Sequence, residues 1–246
     1  MVTPRQARRR LEESLRLNRE QLLRWQVVVP NGATPSVDWN APARRAAHYN
    51  ERFPDRPPLV YGCGMVAGTW MIGSCYKNPN PLYGAYPHGY LDRVHAMFPD
   101  ARKILHVFSG GLRPTQATEA AWPNPEQWTD GREMELVDMH GHDKGRFPTW
   151  QGDLHDMPEE WADRFDLVLA DPPYSAADSI TYECPAPNRA KIMRSLRRVT
   201  RKGGNLVWLD QVWPMHRKAE WKTWGTIGLV RSTNHRMRLV SMFEAQ

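Results

Sequence analysis

The stretch that most constrains this chain is DLVLADPPYS, residues 166–175. The apolar run Phe165–Ala170 is short and bounded, which reads as a buried strand. Two consecutive prolines then end it abruptly, because proline lacks an N–H, fixes its own φ and restricts the residue before it. The turn presents the Asp171 carboxylate, the Pro172 carbonyl and the aromatic face of Tyr174, with Pro173 holding the bend. Two acceptors beside a stacking plate suit a planar base gripped by its exocyclic amino group, with stacking worth about 1–3 kcal/mol per base. The plainer alternative is a Pro-Pro turn carrying a surface tyrosine.

Around this turn the pattern predicts alternating strands and helices. A helix at 89–97 precedes a strand at Lys103–Phe108, and a second strand covers Glu133–Asp138. After the strand ending at Ala170, a helix at 188–200 is capped by Asn188 and stopped by Gly203-Gly204, and Asn205–Asp210 is a further strand. Ile227–Arg231 and Arg236–Phe243, separated by Ser232-Thr233-Asn234-His235, form a terminal hairpin that adds an antiparallel edge. This is an α/β chain with a mostly parallel sheet. Upstream, Thr3 and Pro4 open an amphipathic basic helix at 3–26, and a proline-rich connection with one short helix near 42–52 follows. The division expected is 1–58 for the basic helix and connection, and 59–246 for the main domain. Segment 59–90 is aromatic and glycine-rich, with no assigned secondary structure.

In an open parallel sheet, ligands bind beyond the carboxyl ends of the strands. The residues to read there are Ser109-Gly110-Gly111, Asp138, Asp153 in Gln151-Gly152-Asp153-Leu154, and the Asp171 turn. Each aspartate alone is better explained by a cap or turn than by a ligand. No GxGxxG and no GxxxxGK[ST] is present, so neither a dinucleotide fingerprint nor a P-loop is indicated.

Charge is unevenly placed. Residues 1–30 carry seven Arg and three Glu, a charge of +4, and residues 189–246 carry thirteen Lys/Arg against three carboxylates, or +10. The middle has thirteen basic and twenty-one acidic residues, or −8, leaving +6 overall. Basic ends around an acidic middle suit a polyanion held at the edges, although solvated helix faces give the same counts. No apolar run is long enough for a membrane span. Three cysteines without a CxxC favour a reduced, cytoplasmic setting, and His140-Gly141-His142 with His155 lacks metal-ligand spacing, so no metal is expected.

At Asp171-Pro172-Pro173-Tyr174 the chain resembles the S-adenosylmethionine-dependent amino-methyltransferases that act on adenine or cytosine in nucleic acid, whose signature is (D/N/S)PP(Y/F/W). The resemblance runs through residues 83–246. YPHGYLDRV at 86–94 looks like the family's cofactor-side segment, ILHVFSGG at 104–111 its glycine motif, and RRVTRKGGNLVW at 197–208 its helix, Gly-Gly and next strand. It implies a Rossmann-like class I methyltransferase fold with an N-terminal helical extension. The cofactor would meet Tyr86, Pro87, His106, Phe108, Ser109, Gly110, Gly111, Asp138, Asp153 and Leu154, with Asp138 on the ribose and Asp153 at the adenine. His106 stands where the family usually has an acid, and Leu112 where it has a glycine.

The activity implied is methylation of the exocyclic amine of adenine in DNA, the base being flipped into the turn. Arg8, Arg9, Arg10, Arg189, Lys191 and Arg194 are the expected phosphate contacts. Cytosine N4 in DNA, adenine in RNA (ribosomal RNA included), and a catalytically silent nucleic-acid-binding module remain alternatives. Cys184 precedes Pro185, the reverse of the Pro-Cys pair used in ring-carbon methylation, and reads as a packing cysteine.

Overall fold

The computed structural model describes residues 41–72, 86–87, 89–112, 133–231 and 237–246. The expected helix at 3–26, with Arg8, Arg9 and Arg10, and the turn 232–235 lie outside the described residues. The described helices are α1 (Pro42–Arg52), α2 (Tyr90–Met97), α3 (Ala176–Thr181) and α4 (Arg189–Val199). The described strands are β1 (Val60–Gly62), β2 (Met65–Ile72), β3 (Lys103–Val107), β4 (Glu133–Asp138), β5 (Trp150–Gln151), β6 (Phe165–Ala170), β7 (Thr200–Asp210), β8 (Trp221–Arg231) and β9 (Met237–Ala245).

All nine strands join one sheet, in the order β1-β2-β8-β9-β7-β6-β3-β4-β5. From β5 through β7 every neighbour is parallel, and β2 pairs parallel with β8. Only β9, against β7 and β8, and β1, against β2, run antiparallel. The expected α/β, Rossmann-like architecture with a mostly parallel sheet is therefore present. The chain moves outward from β3 to β4 and β5, then returns to place β6 on the other side of β3, which makes a reversal point between β3 and β6.

Strand alternation sorts the core onto two faces. Leu167, Leu169, Val207 and Leu209 point to the side covered by α1 and α2, where Tyr49, Trp70, Tyr90 and Met97 are buried. Val168, Ala170, Leu206 and Trp208 point the other way, onto Ile192, Met193, Leu196 and Val199 of α4. The short helix expected near 42–52 is α1, with Pro42 in its first turn, and Asn188 caps α4 by accepting from the Lys191 N–H at 3.0 Å.

Three features differ from expectation. The C-terminal hairpin is not the sheet edge: β9 sits between β7 and β8, and β8 pairs on its far side with β2, from Val66↔Gly225 to Ile72↔Arg231. That pairing buries Val66, Trp70 and Ile72 and removes an unpaired apolar strand. Second, Gly203-Gly204 does not stop α4, which already ends at Val199. The pair lies inside β7, where the register with β6 slips between Phe165↔Thr200 and Leu167↔Asn205. Gly203 has φ +73, and a Cβ on Gly204 would meet the Phe165 carbonyl oxygen at 2.9 Å, so glycines are required for this bulge. Third, the unassigned aromatic segment opens with the β1–β2 hairpin. Its two turn residues, Cys63 and Gly64, both have positive φ (51° and 78°), as a tight primed turn demands.

Candidate active site

The reversal point brings together the ends of β3 and β6, and the glycine turn and the double-proline turn occupy those ends. After β3, Phe108 and Gly110 both adopt left-handed backbone, with φ 59° and 58°. For Phe108 that conformation costs about 1–2 kcal/mol and has to be held by its surroundings. The holding bonds are visible: the Ser109 N–H donates to the Val137 carbonyl at 3.0 Å and the Gly110 N–H to Asp138 Oδ2 at 2.8 Å. Asp138 Oδ1 accepts from the His140 N–H at 3.0 Å, and Arg146 lies 3.6 Å from Oδ2. The Gly152 N–H donates to the Asp138 carbonyl at 3.0 Å, which sets Asp153 beside the end of β4. Asp153 caps the short turn Leu154–Asp156 by accepting from the His155 N–H at 2.9 Å, while Leu154 is buried beneath it. The expected cofactor-side residues of β3, β4 and β5 thus form one hydrogen-bonded rim.

Tyr86 and His106 also meet, edge to face with ring centroids 5.8 Å apart, and Tyr86 stacks on Tyr90 at 5.3 Å. Pro87 is buried beside them. His106 is buried with neither ring nitrogen bonded, and burial pulls its pKa down to about 3, so the ring is neutral at physiological pH. The hydroxyls of Tyr86, Tyr90 and Ser109 are buried without a partner. Orphaned polar groups of this kind are costly unless something else satisfies them. Both tyrosines feel the Asp171 charge, which places them around the double-proline turn as well as the glycine turn.

In that second turn Pro172 and Pro173 are buried, and the Tyr174 hydroxyl donates a hydrogen bond to Asp171 Oδ1. Burial pushes the Asp171 pKa up to about 7, against the pull of Arg238 and of the Tyr174 hydrogen bond, while the Asp210 charge adds to the rise. Burial likewise holds the Tyr174 phenol well above its usual range. One face of the Tyr174 ring is covered by Arg238, its guanidinium carbon 4.5 Å from the ring centroid.

Arg189 takes a different place from the phosphate contact expected of it. Its Nε and Nη2 donate to the two oxygens of fully buried Asp210, and Nη2 also donates to the Tyr174 carbonyl at 3.0 Å. The charge goes inward because Asp210, at the end of β7, needs a counter-charge. Lys191 and Arg194 do stand exposed on α4, close enough to the Asp153 loop to act on His155. Asp210 and Arg238 join the site without having been expected there, and Tyr90 joins it from the segment 86–94. Asp210 meets the same strand-end criterion as Asp138, whereas Arg238 reaches the site only through pairing of distant strands.

Two of the histidines in the His140-Gly141-His142 and His155 set are engaged with other groups: His140 Nε2 lies 2.8 Å from the Tyr182 carbonyl, and His155 Nδ1 lies 2.7 Å from Ser195 Oγ. Among the described residues no group of three His, Cys, Asp or Glu could hold a metal, and no helix is long and apolar enough to cross a membrane. Burial raises the Cys184 thiol, the opposite of what a nucleophilic cysteine needs.

No family model matches the chain, and no curated protein matches it. Among solved structures it is similar to TrmN from Thermus thermophilus, with 14% identity over 66% of this chain and 50% of that one and a TM-score of 0.44. It is also similar to a TehB-like SAM-dependent methyltransferase from Corynebacterium glutamicum, with 14% identity, 68% and 90% coverage and a TM-score of 0.40. A third is the 16S rRNA (adenine(1408)-N(1))-methyltransferase from Catenulisporales acidiphilia, with 13% identity, 58% and 84% coverage and a TM-score of 0.36. The chain spans half the length of the TrmN structure.

Proposed function

We propose that this chain is an S-adenosylmethionine-dependent methyltransferase that acts on the exocyclic amino group of adenine in DNA. The observation that carries the reading is the juxtaposition, at one reversal point, of the Asp171-Pro172-Pro173-Tyr174 turn and the Ser109-Gly110-Gly111 turn. The cofactor fits the residues on the β3–β5 side. Phe108 and Gly110 bend the backbone so that a ligand can approach it, Asp138 and Asp153 offer acceptors for ribose hydroxyls and an adenine amine, and the Ser109 and Tyr86 hydroxyls lack partners. When bound, S-adenosylmethionine supplies an electrophilic methyl group.

The rest is done by the chain itself. An aromatic amine is a weak nucleophile because its lone pair is conjugated into the ring. Asp171 Oδ2 and the Pro172 carbonyl are the acceptors that hydrogen-bond its two hydrogens, favour a tetrahedral nitrogen and orient the lone pair. Once the nitrogen carries the methyl group it gives up one proton through Asp171 to solvent, with the donor left as the neutral thioether. Oδ1 is already committed to the Tyr174 hydroxyl. Tyr174 holds the ring by stacking, and alignment with fixed dipoles accounts for the rate without a covalent intermediate. A base in a duplex has to be flipped to reach this turn, at a cost of a few kcal/mol that stacking offsets in part. Exposed Lys191 and Arg194 supply phosphate contacts.

The test is transfer of a labelled methyl group to DNA and to RNA, followed by digestion to nucleosides. N6-methyladenine from DNA supports the proposal. N4-methylcytosine or a methylated RNA nucleoside redirects it to the corresponding substrate. Binding of nucleic acid without any transfer identifies a silent module.

A further inference from the structure

Arg238 is the second residue of β9 and pairs with Leu229 on β8, while its neighbour Leu239 pairs with Asp210 at the end of β7. This register delivers a guanidinium from the C-terminal hairpin onto the Tyr174 ring, 4.5 Å from its centroid. Its Nε is buried with no hydrogen-bond partner. The described groups acting on Asp171 are Tyr174 in its own turn, Asp210 from β7, Arg238 from β9, Tyr90 from the start of α2 and Tyr86 from the segment before it. Asp210 is already paired with Arg189 through two bonds. Among the described residues, Arg238 is therefore the cation near Asp171 that no carboxylate claims within ion-pair distance.

We propose that Arg238 is a positioning residue for methyl transfer: it backs one face of Tyr174, leaving the other face to the target base, and it keeps Asp171 ionised as an acceptor for the amine. The inference rests on the functional reading above. Its chemistry is direct. A protonated Asp171 is a donor at one oxygen and has one acceptor fewer to offer an N–H, and with Oδ1 held by Tyr174 the loss falls on the oxygen facing the amine. A planar guanidinium stacks on a phenol ring and stays charged at any working pH, which a lysine at this place matches in charge and not in shape.

The experiment follows the Asp171 carboxyl carbon by 13C NMR in ligand-free protein labelled at aspartate, with Asp171→Asn assigning the signal, in wild type, Arg238→Gln and Arg238→Lys. Circular dichroism confirms that each is folded. Arg238→Gln is expected to move the ionisation midpoint up by about one pH unit. Arg238→Lys is expected to keep it near wild type, and the acid limb of the kcat–pH profile should move with the midpoint. An unchanged midpoint in folded Arg238→Gln, or a shift in Arg238→Lys as large as in Arg238→Gln, overturns the proposal. Absence of methyl transfer by wild type on both DNA and RNA overturns the functional reading instead, because the titration is read without substrate.

Discussion

Arg189, in the first turn of α4, holds the fully buried carboxylate of Asp210 with two nitrogens, at 2.7 and 3.1 Å, and spends a further bond on the carbonyl of Tyr174. Trp208 Nε1 and the Gln211 N–H complete the acceptor set of Asp210, at 3.1 and 2.6 Å. The exit of the double-proline turn is thus pinned to β7 from outside its own strand.

Removing Arg189 leaves that carboxylate buried and uncompensated. Arg189→Met is expected to destabilise the fold by about 3–5 kcal/mol in denaturant titrations. Arg189→Met combined with Asp210→Leu is expected to lose less than the single variant, because the orphaned charge is gone. Equal losses in both would assign the cost to packing.

The pKa of Asp171 in the fold, about 7, lies above its ordinary 3.8. Folding therefore favours the protonated form, and the stability tied to this group is full below about pH 4 and lost as pH rises toward 7. Asp171→Asn is expected to melt a few degrees above wild type at pH 8 and with little difference at pH 4. Its methyl transfer is expected to fall about 10²–10³-fold, since an amide nitrogen donates where the amine needs an acceptor. Melting curves across pH and a single-turnover assay check the two halves separately.

His106 has the opposite sign. Its pKa in the fold, about 3, lies below its ordinary 6.5, so its contribution is present above pH 6.5 and lost as pH falls toward 3. Between about pH 4 and 6.5 the two buried groups offset one another. His106→Phe removes one side of that balance, and its stability is expected to decline with rising pH across this window more steeply than wild type. Denaturation midpoints at half-unit pH intervals read the slopes.

Asp138 fixes the Gly110 and His140 amides. Asp138→Ala frees both and releases the glycine turn from its left-handed geometry. Titration calorimetry with S-adenosylhomocysteine is expected to show at least about a tenfold loss of affinity, the scale of one good hydrogen bond to a charged group. Unchanged affinity would remove this rim from the cofactor site.

Lys191 and Arg194 are exposed on α4 near the Asp153 loop. Replacing both with glutamine is expected to reduce the slope of log K against log salt by about two for a DNA duplex, roughly one per phosphate contact. A slope equal to that of wild type places the nucleic acid elsewhere.

The sheet was legible where burial is continuous. β3 and β6 read as short apolar runs because both their faces are covered, and the strand-end rule then located Asp138, Asp153 and the Asp171 turn. Gly203-Gly204 misled because a glycine pair serves equally as a helix stop and as a bulge, and only the register between β6 and β7 distinguishes them. The β1–β2 hairpin was hidden because its turn is Cys63-Gly64, a pair without the usual asparagine or aspartate. Asp210 comes beside the Asp171 turn through the pairing of β7 with β6, whereas Arg238 arrives only when β9 inserts beside β7, a relation that no local pattern encodes.

The reversal between β3 and β6 has a consequence for how such a chain can change. In the proposed function the donor side is the rim built from β3, β4 and β5, while the contacts that brace the Asp171 turn, assigned to the amine, come from α4, β7 and β9. The two reactants are thus served by opposite wings of one sheet, meeting along a single seam. If the proposed function holds, remodelling the hairpin wing is expected to alter which target is admitted while the other wing goes on recognising the same donor, so that selectivity and donor recognition can evolve as separate parts.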